Sequence, residues 1–148
     1  MPTIDRRAIA SELAAALGTE CRLVEAVRNE VTLALPPEDL RRAVQLLLET
    51  TPFRHLSAIT VEEDPESPGV LLALYHFWQG EGLTLLLRLP TEAPQLSSLI
   101  DLIPGVDFYE REAAEMFGIR FTDRDAMPPL LLSDDWESAP PMTSRKET

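Results

Sequence analysis

Four charged residues that could do chemistry, Glu110, Arg111, Glu112 and Glu115, stand together in the stretch 104–121, PGVDFYEREAAEMFGIRF. Two carboxylates in unlike environments can divide general acid from general base work, so Glu110 with Glu112 or Glu115 defines one function class, an independent hydrolase or lyase. Helical geometry argues against it, because residues 110 and 112 project about 200° apart. Neither a cleft-forming glycine loop nor a nucleophile beside a base accompanies them. Metal and redox chemistry are limited by composition: the chain has one cysteine, Cys21, and two histidines, His55 and His76. Iron–sulfur clusters take four cysteines, or two cysteines and two histidines in Rieske-type centres. Neither histidine has a metal-ligand spacing, and His76 lies in an apolar run that reads as a strand. Cys21 precedes the alternating Leu23, Glu25 and Val27 and reads as a strand-end thiol. No G-x-G-x-x-G or Walker loop appears to cradle a dinucleotide or phosphate.

The element that must position the four charges is a short helix. Pro104 and Gly105 make a turn, and Asp107 stands three residues before Glu110, a capping-box arrangement that starts the helix near Phe108. In that reading the Asp107 carboxylate accepts from an unpaired backbone N–H, and Glu110 reaches back toward the cap amide. Tyr109, Ala113, Met116 and Phe117 fall on one, inward face, with Arg111 and Glu115 opposite as an i,i+4 pair. Gly118 suits the left-handed C′ position, and Ile119 and Phe121 alternate as an extended segment.

Upstream, hydrophobic periodicity predicts an alternation of helices and antiparallel strands. Residues 4–17 place Ile9, Leu13, Ala16 and Leu17 on one helical face, with Gly18 as the stop. Residues 22–35 alternate around Arg28-Asn29-Glu30 and predict two short strands joined by a tight turn. Pro36-Pro37 introduces a second helix with the stripe Leu40, Val44, Leu47 and Leu48, ending before Pro52. Three strands follow at 55–63, 70–78 and 83–89, the last two joined by Gln79-Gly80-Glu81-Gly82. The Pro- and charge-rich run 64–69 is a connection. The fold class is α+β, a two-layer α/β sandwich in the order α-β-β-α-β-β-β, followed by the charged helix and an extended arm.

The run Glu110-Arg111-Glu112, two residues, Glu115, Met116-Phe117-Gly118-Ile119 and then Phe121 resembles the signature of the C-type, 30 kDa subunit family of respiratory complex I, NADH:quinone oxidoreductase. Relatives of that subunit occur in energy-converting membrane-bound hydrogenases. The likeness continues through Arg124, Pro128, Leu130-Leu131-Leu132 and Asp134-Asp135-Trp136, although the family's loop usually holds a histidine and paired arginines where this chain has Arg124 alone. The resemblance implies a sandwich with the signature helix appended after the last strand. It also implies a noncatalytic subunit of the peripheral arm, on the cytoplasmic side of the cell membrane. Its partners would be the hydrogenase-like large subunit and the small cluster-bearing subunit, with the iron–sulfur clusters on the partners and no cofactor on this chain. The shortened, divergent tail suits the equivalent subunit of an energy-converting nickel–iron hydrogenase or formate hydrogenlyase as the alternative.

Length and composition agree with one core: 148 residues, 45% of them hydrophobic. Residues 1–121 are expected to form the α+β domain. A formal charge of −12, from 13 basic and 25 acidic residues, disfavours nonspecific binding to nucleic acid or anionic membrane. No apolar stretch approaches the roughly 18–20 residues that span a bilayer. Membrane contact is therefore expected only through the complex. In 122–148 the prolines 128, 129, 140 and 141 oppose regular structure while large apolar residues persist, so this segment is expected to lie extended on a partner subunit. The expected partner-binding residues are Glu110, Arg111, Glu112, Glu115, Arg124, Leu131, Leu132, Asp134, Asp135 and Trp136, with Leu131, Leu132 and Trp136 as anchors.

Overall fold

The computed structural model describes residues 5–17, 22–24 and 31–125. Gly18, Cys21, the turn at Arg28-Asn29-Glu30 and the arm beyond residue 125 lie outside the described residues.

Helix α1 runs Arg6–Leu17 and buries Ala10, Leu13 and Leu17. The Asp5 carboxylate accepts from the Ala8 N–H at 3.0 Å, which supplies its N-terminal cap. Ala16, expected on the inward face, is exposed, because Ala10 rather than Ala16 completes the stripe with Leu13 and Leu17. Strands β1 (Arg22–Val24) and β2 (Val31–Ala34) pair antiparallel. A single 3-10 turn at Pro37–Asp39 leads into α2, Leu40–Thr50, which buries Leu40, Ala43, Val44 and Leu47. Strands β3 (His55–Glu63), β4 (Val70–Trp78) and β5 (Gly82–Pro90) form an antiparallel meander.

The sheet order is β1-β2-β5-β4-β3, and β2 lies parallel to β5. The sheet is thus mixed, a correction to the all-antiparallel expectation. The reason is topological. Leaving β2, the chain passes through α2 to β3 at the far edge, and the meander brings β5 back beside β2 in the same direction. Leu33 of β2 then stands opposite Leu85 of β5.

One face of the sheet packs on the helices. Leu71, Ala73, Tyr75 and Phe77 alternate inward from β4, and Leu83, Leu85, Leu87 and Leu89 from β5. With the helix stripes they form one continuous core. The second face carries half-buried Leu72, Leu74 and Leu86 around His76. The His76 ring nitrogens are bonded there, Nε2 to the Thr60 hydroxyl at 2.8 Å and Nδ1 to the Thr84 hydroxyl at 3.2 Å. His76 is therefore held by the sheet as a hydrogen-bonded residue. A second, two-stranded sheet, absent from the sequence expectation, pairs β6 (Gln95–Ser97) with β7 (Arg120–Thr122) in parallel.

Leu85→Ala, at a fully buried position on the strand between β2 and β4, should cost about 2–5 kcal/mol in urea unfolding. Trp78→Ala, at a side chain 52% exposed, should stay within about 0.5 kcal/mol of wild type in the same measurement.

Candidate functional site

Helix α3, Asp107–Phe117, carries the four charged residues and stands between β6 and β7 in the chain. A 3-10 turn at Pro104–Val106 runs directly into it, with the Val106 N–H bonded to the Ile103 carbonyl at 2.9 Å. Val106 therefore occupies the cap position with helical dihedrals, φ −71° and ψ −17°, and no side chain caps the helix. The expected capping box does not form, because Asp107 already lies inside the helix while a capping residue needs an extended backbone. Gly118 does take the left-handed closing position, φ 75°, donating its N–H to the Ala114 carbonyl.

The inward face of α3 is also rotated from the expected one. Val106, Glu110 and Ala113 are buried, Tyr109, Ala114 and Phe117 pack at its borders, and Phe108 is 48% exposed. Glu110 is wholly buried. Its carboxylate accepts from the Ser98 hydroxyl at 2.6 Å, the Leu99 N–H at 2.7 Å and Arg124 Nη1 at 3.0 Å. A carboxylate supplied with three donors in this way can stay in the interior without a bare charge.

Each donor is held by another element. The Ser98 N–H donates to the Thr122 carbonyl at 3.0 Å, which continues the β6–β7 ladder and fixes the loop. From α2, Arg41 Nη1 reaches the Ser98 carbonyl at 3.3 Å and also pairs with Asp101. On the other side, Asp123 adopts φ 64°, a left-handed conformation that Asp tolerates. Its Oδ2 accepts from the Ser97 and Thr122 hydroxyls at 3.1 and 3.3 Å. That turn sends Arg124 back over the first turn of α3, where Nη2 donates to Asp107 Oδ1 at 2.6 Å. Arg111 faces the other Asp107 oxygen at 3.5 Å, an acid-first i,i+4 pair.

The electrostatics follow. The hydrogen bond from Arg124 holds the Asp107 carboxyl below its ordinary pKa; burial opposes it as the next largest effect, and the charges of Arg124 and Arg111 add to the lowering. For Arg124 burial acts to lower the pKa, and the hydrogen bonds and charges of Asp107 and Glu110 together outweigh it, so the net shift is upward. Burial pushes the Tyr75 hydroxyl well above its usual value, and the Glu110 charge pushes the same way.

The structure thus brings Arg124 onto both Asp107 and Glu110, with Arg111 facing the other Asp107 oxygen. Glu110, expected on a docking surface, faces inward instead, because its donors lie in the interior. Glu112 and Glu115 are half-buried on α3. Leu131, Leu132, Asp134, Asp135 and Trp136 lie outside the described residues. Local spacing does not single out Ser98 or the Leu99 N–H, and it points to a cap role for Asp107 that the structure does not bear out. The one local signal for Ser98 was its place in a short polar gap, Ser97-Ser98, between apolar residues. Among the described residues no group of three or more His, Cys, Asp or Glu could hold a metal ion, and no helix is long and apolar enough to cross a membrane.

Residues 33–147 match the family model described as respiratory-chain NADH dehydrogenase, 30 Kd subunit. The chain belongs to this family. Across 119 residues it is 32% identical to the C subunit of NADH-quinone oxidoreductase from Nocardioides sp. strain JS614, covering 76% of this chain and 48% of that one. It is 31% identical over 86 residues to the C subunit of F(420)H(2) dehydrogenase from Methanosarcina mazei, covering 56% of this chain and 54% of the relative. The chain therefore spans about half the length of the curated relatives it matches. The trypsin-resistant fragment 1–134 of Nqo5 superposes with a TM-score of 0.67 at 23% identity, over 82% of this chain and 99% of that one, and shares the fold. The α+β architecture and the resemblance carried by the α3 signature both stand on these matches. In this family member the signature's first glutamate is an interior anchor.

Glu110→Ala should cost about 3–5 kcal/mol in chemical denaturation, since it leaves the Ser98 hydroxyl, the Leu99 N–H and Arg124 Nη1 without their acceptor, whereas Ser98→Ala should cost about 1.5–3 kcal/mol. Acidification supplies a second check. Asp107 ionises at lower pH in the folded chain than in the unfolded one, so its contribution is complete above the ordinary carboxylate pKa of about 3.9 and drains away as pH falls through the lowered value. Arg124→Gln should flatten that part of the stability–pH curve, measured by thermal melts between neutral and acidic pH.

Proposed function

We propose that this chain is a noncatalytic assembly subunit of the peripheral arm of a complex I-like NADH:quinone oxidoreductase, on the cytoplasmic side of the membrane. In this reading it supports a hydrogenase-like large subunit and a small iron–sulfur subunit, and those neighbours carry the clusters and the electrons. The observation that carries the noncatalytic assignment is the state of Glu110. The carboxylate best placed by sequence for acid–base work is wholly buried and bonded to three donors, so no substrate reaches it. That removes the main support for an independent hydrolase or lyase. The reading as a subunit rests on the family match over residues 33–147.

The outward side of α3 is the proposed docking region, with Arg111, Glu112, Glu115 and the exposed ring of Phe108. The arm expected from residue 122 starts later, because Thr122 is paired in β7 and Asp123 and Arg124 are bonded to Ser97, Glu110 and Asp107; residues 126–148 are proposed as the arm, with Leu131, Leu132 and Trp136 as its anchors and Asp134 and Asp135 beside them. Arg124 then acts at the root of the arm, fixing its departure point against Asp107 and Glu110. A second reading is the equivalent subunit of an energy-converting hydrogenase or formate hydrogenlyase. The 31% identity to the C subunit of F(420)H(2) dehydrogenase supports a range of relatives that extends beyond the NADH-named enzymes.

The test is purification through an affinity tag on the full chain in its own cells. The expected outcome is recovery with a large and a small oxidoreductase subunit, and redox turnover only in that assembly. A chain recovered alone that turns over a substrate by itself would remove the proposal. Phe108→Asp should reduce recovery of the partners about tenfold while leaving the melting temperature of the free chain unchanged.

A further inference from the structure

Strand β3 ends the five-stranded sheet, and among the described residues only β4 pairs with it, which leaves its second edge unpaired by them. A free strand edge presents a row of N–H and C=O groups, and proteins usually cover it with a helix or interrupt it with a bulge. Here the register shift between Leu56 and Ala58 interrupts the first part of the strand. Beyond it α3 lies alongside but leaves a groove of about 370 Å³, lined by Ile59, Val61, Glu112, Ala113, Met116 and Phe117 together with Thr60. The Thr60 hydroxyl is bonded to His76 on the opposite face, so Thr60 contributes its main chain to the groove. The lining is apolar apart from Thr60 and one carboxylate.

That carboxylate is the second observation. The acids of α3's first turn, Asp107 and Glu110, are paired with Arg124 and, for Asp107, Arg111. Among the described residues Glu112 has no ion pair or hydrogen bond, and no basic side chain lines the groove. A small-molecule site of this size would offer several convergent polar groups, and this groove offers one. A strand laid against the β3 edge would bond its backbone to β3 and direct alternate side chains down between Ile59, Val61, Met116 and Phe117.

We infer that the β3 edge and the α3 groove take an extended segment of a partner subunit by β-strand addition. Its inward side chains are apolar, and it carries a Lys or Arg opposite Glu112. The inference rests on the reading proposed above and adds where and how a partner is held. Charge selects this occupant over the chain's own tail: residues 126–148 carry Asp134, Asp135, Glu137 and Glu147 against Arg145 and Lys146, the wrong balance for an acidic groove in a chain of net charge −12.

The experiment places a photo-crosslinking benzophenone side chain at position 116 of the full tagged chain, irradiates the assembly in cells, and sequences the crosslinked peptides. The expected product is an apolar, Lys- or Arg-bearing segment of another subunit. Glu112→Lys should lower its yield about tenfold with the free chain's melting temperature unchanged, whereas Glu112→Gln should lower it less. Amides of residues 59–61 should also exchange more slowly in the assembly than in the free chain. If the chain co-purifies with oxidoreductase subunits but position 116 crosslinks to residues 126–148, to an acidic segment or to nothing, the strand-addition proposal is overturned and the proposed function stands. If the chain co-purifies with none of them, both fall.

Discussion

The burial of the Glu110 carboxylate organises the C-terminal half of this domain. An ionised carboxylate leaves water only where donors replace its hydration, and here they come from the loop after β6 and the segment after β7. Those two segments are neighbours only because β6 and β7, on either side of α3 in sequence, pair in parallel. One side chain therefore ties the rotation of the helix, the course of residues 98–101 and the position of Arg124 to one another. Arg41 extends the same network to α2, so the small sheet is fixed to the main layer of helices.

Around that network the large sheet supplies a platform. Its inner face is filled by aliphatic and aromatic residues from β4 and β5, and α3 is set over its β3 side. This placement gives α3 two unlike sides. The inner side is closed, with its charges neutralised inside the chain, and the outer side presents Phe108, Glu112 and the groove over β3. The signature that first looks like a cluster for acid–base catalysis is an internal clamp for Glu110 and Asp107 and leaves Glu112 available.

Family membership and this geometry fit together. The fold is shared with the Nqo5 fragment at 23% identity. The chain matches about half the length of its curated relatives, and the matched part contains most of the main sheet and the whole α3 network. An interior ion network holds α3 at a constant orientation, because such a network tolerates few alternative arrangements of its elements.

The sequence by itself determined the elements. Periodicity and turn residues marked β3 and β4 at 55–63 and 70–78, the α2 stripe and the Gly118 stop, since these depend on neighbours within a few residues. The charged run with Met116-Phe117-Gly118-Ile119 also carried the family. Only the tertiary structure decided that β2 and β5 lie parallel, that β6 exists, and that Glu110 points inward. Local rules favour a capping role for Asp107 and a solvent role for Glu110. The donors that overrule them, Ser98, the Leu99 N–H and Arg124, lie 11 to 14 residues away in sequence and meet the carboxylate only when β6, α3 and β7 are assembled. A charge's position on a helix follows from spacing, but its partners follow from the fold.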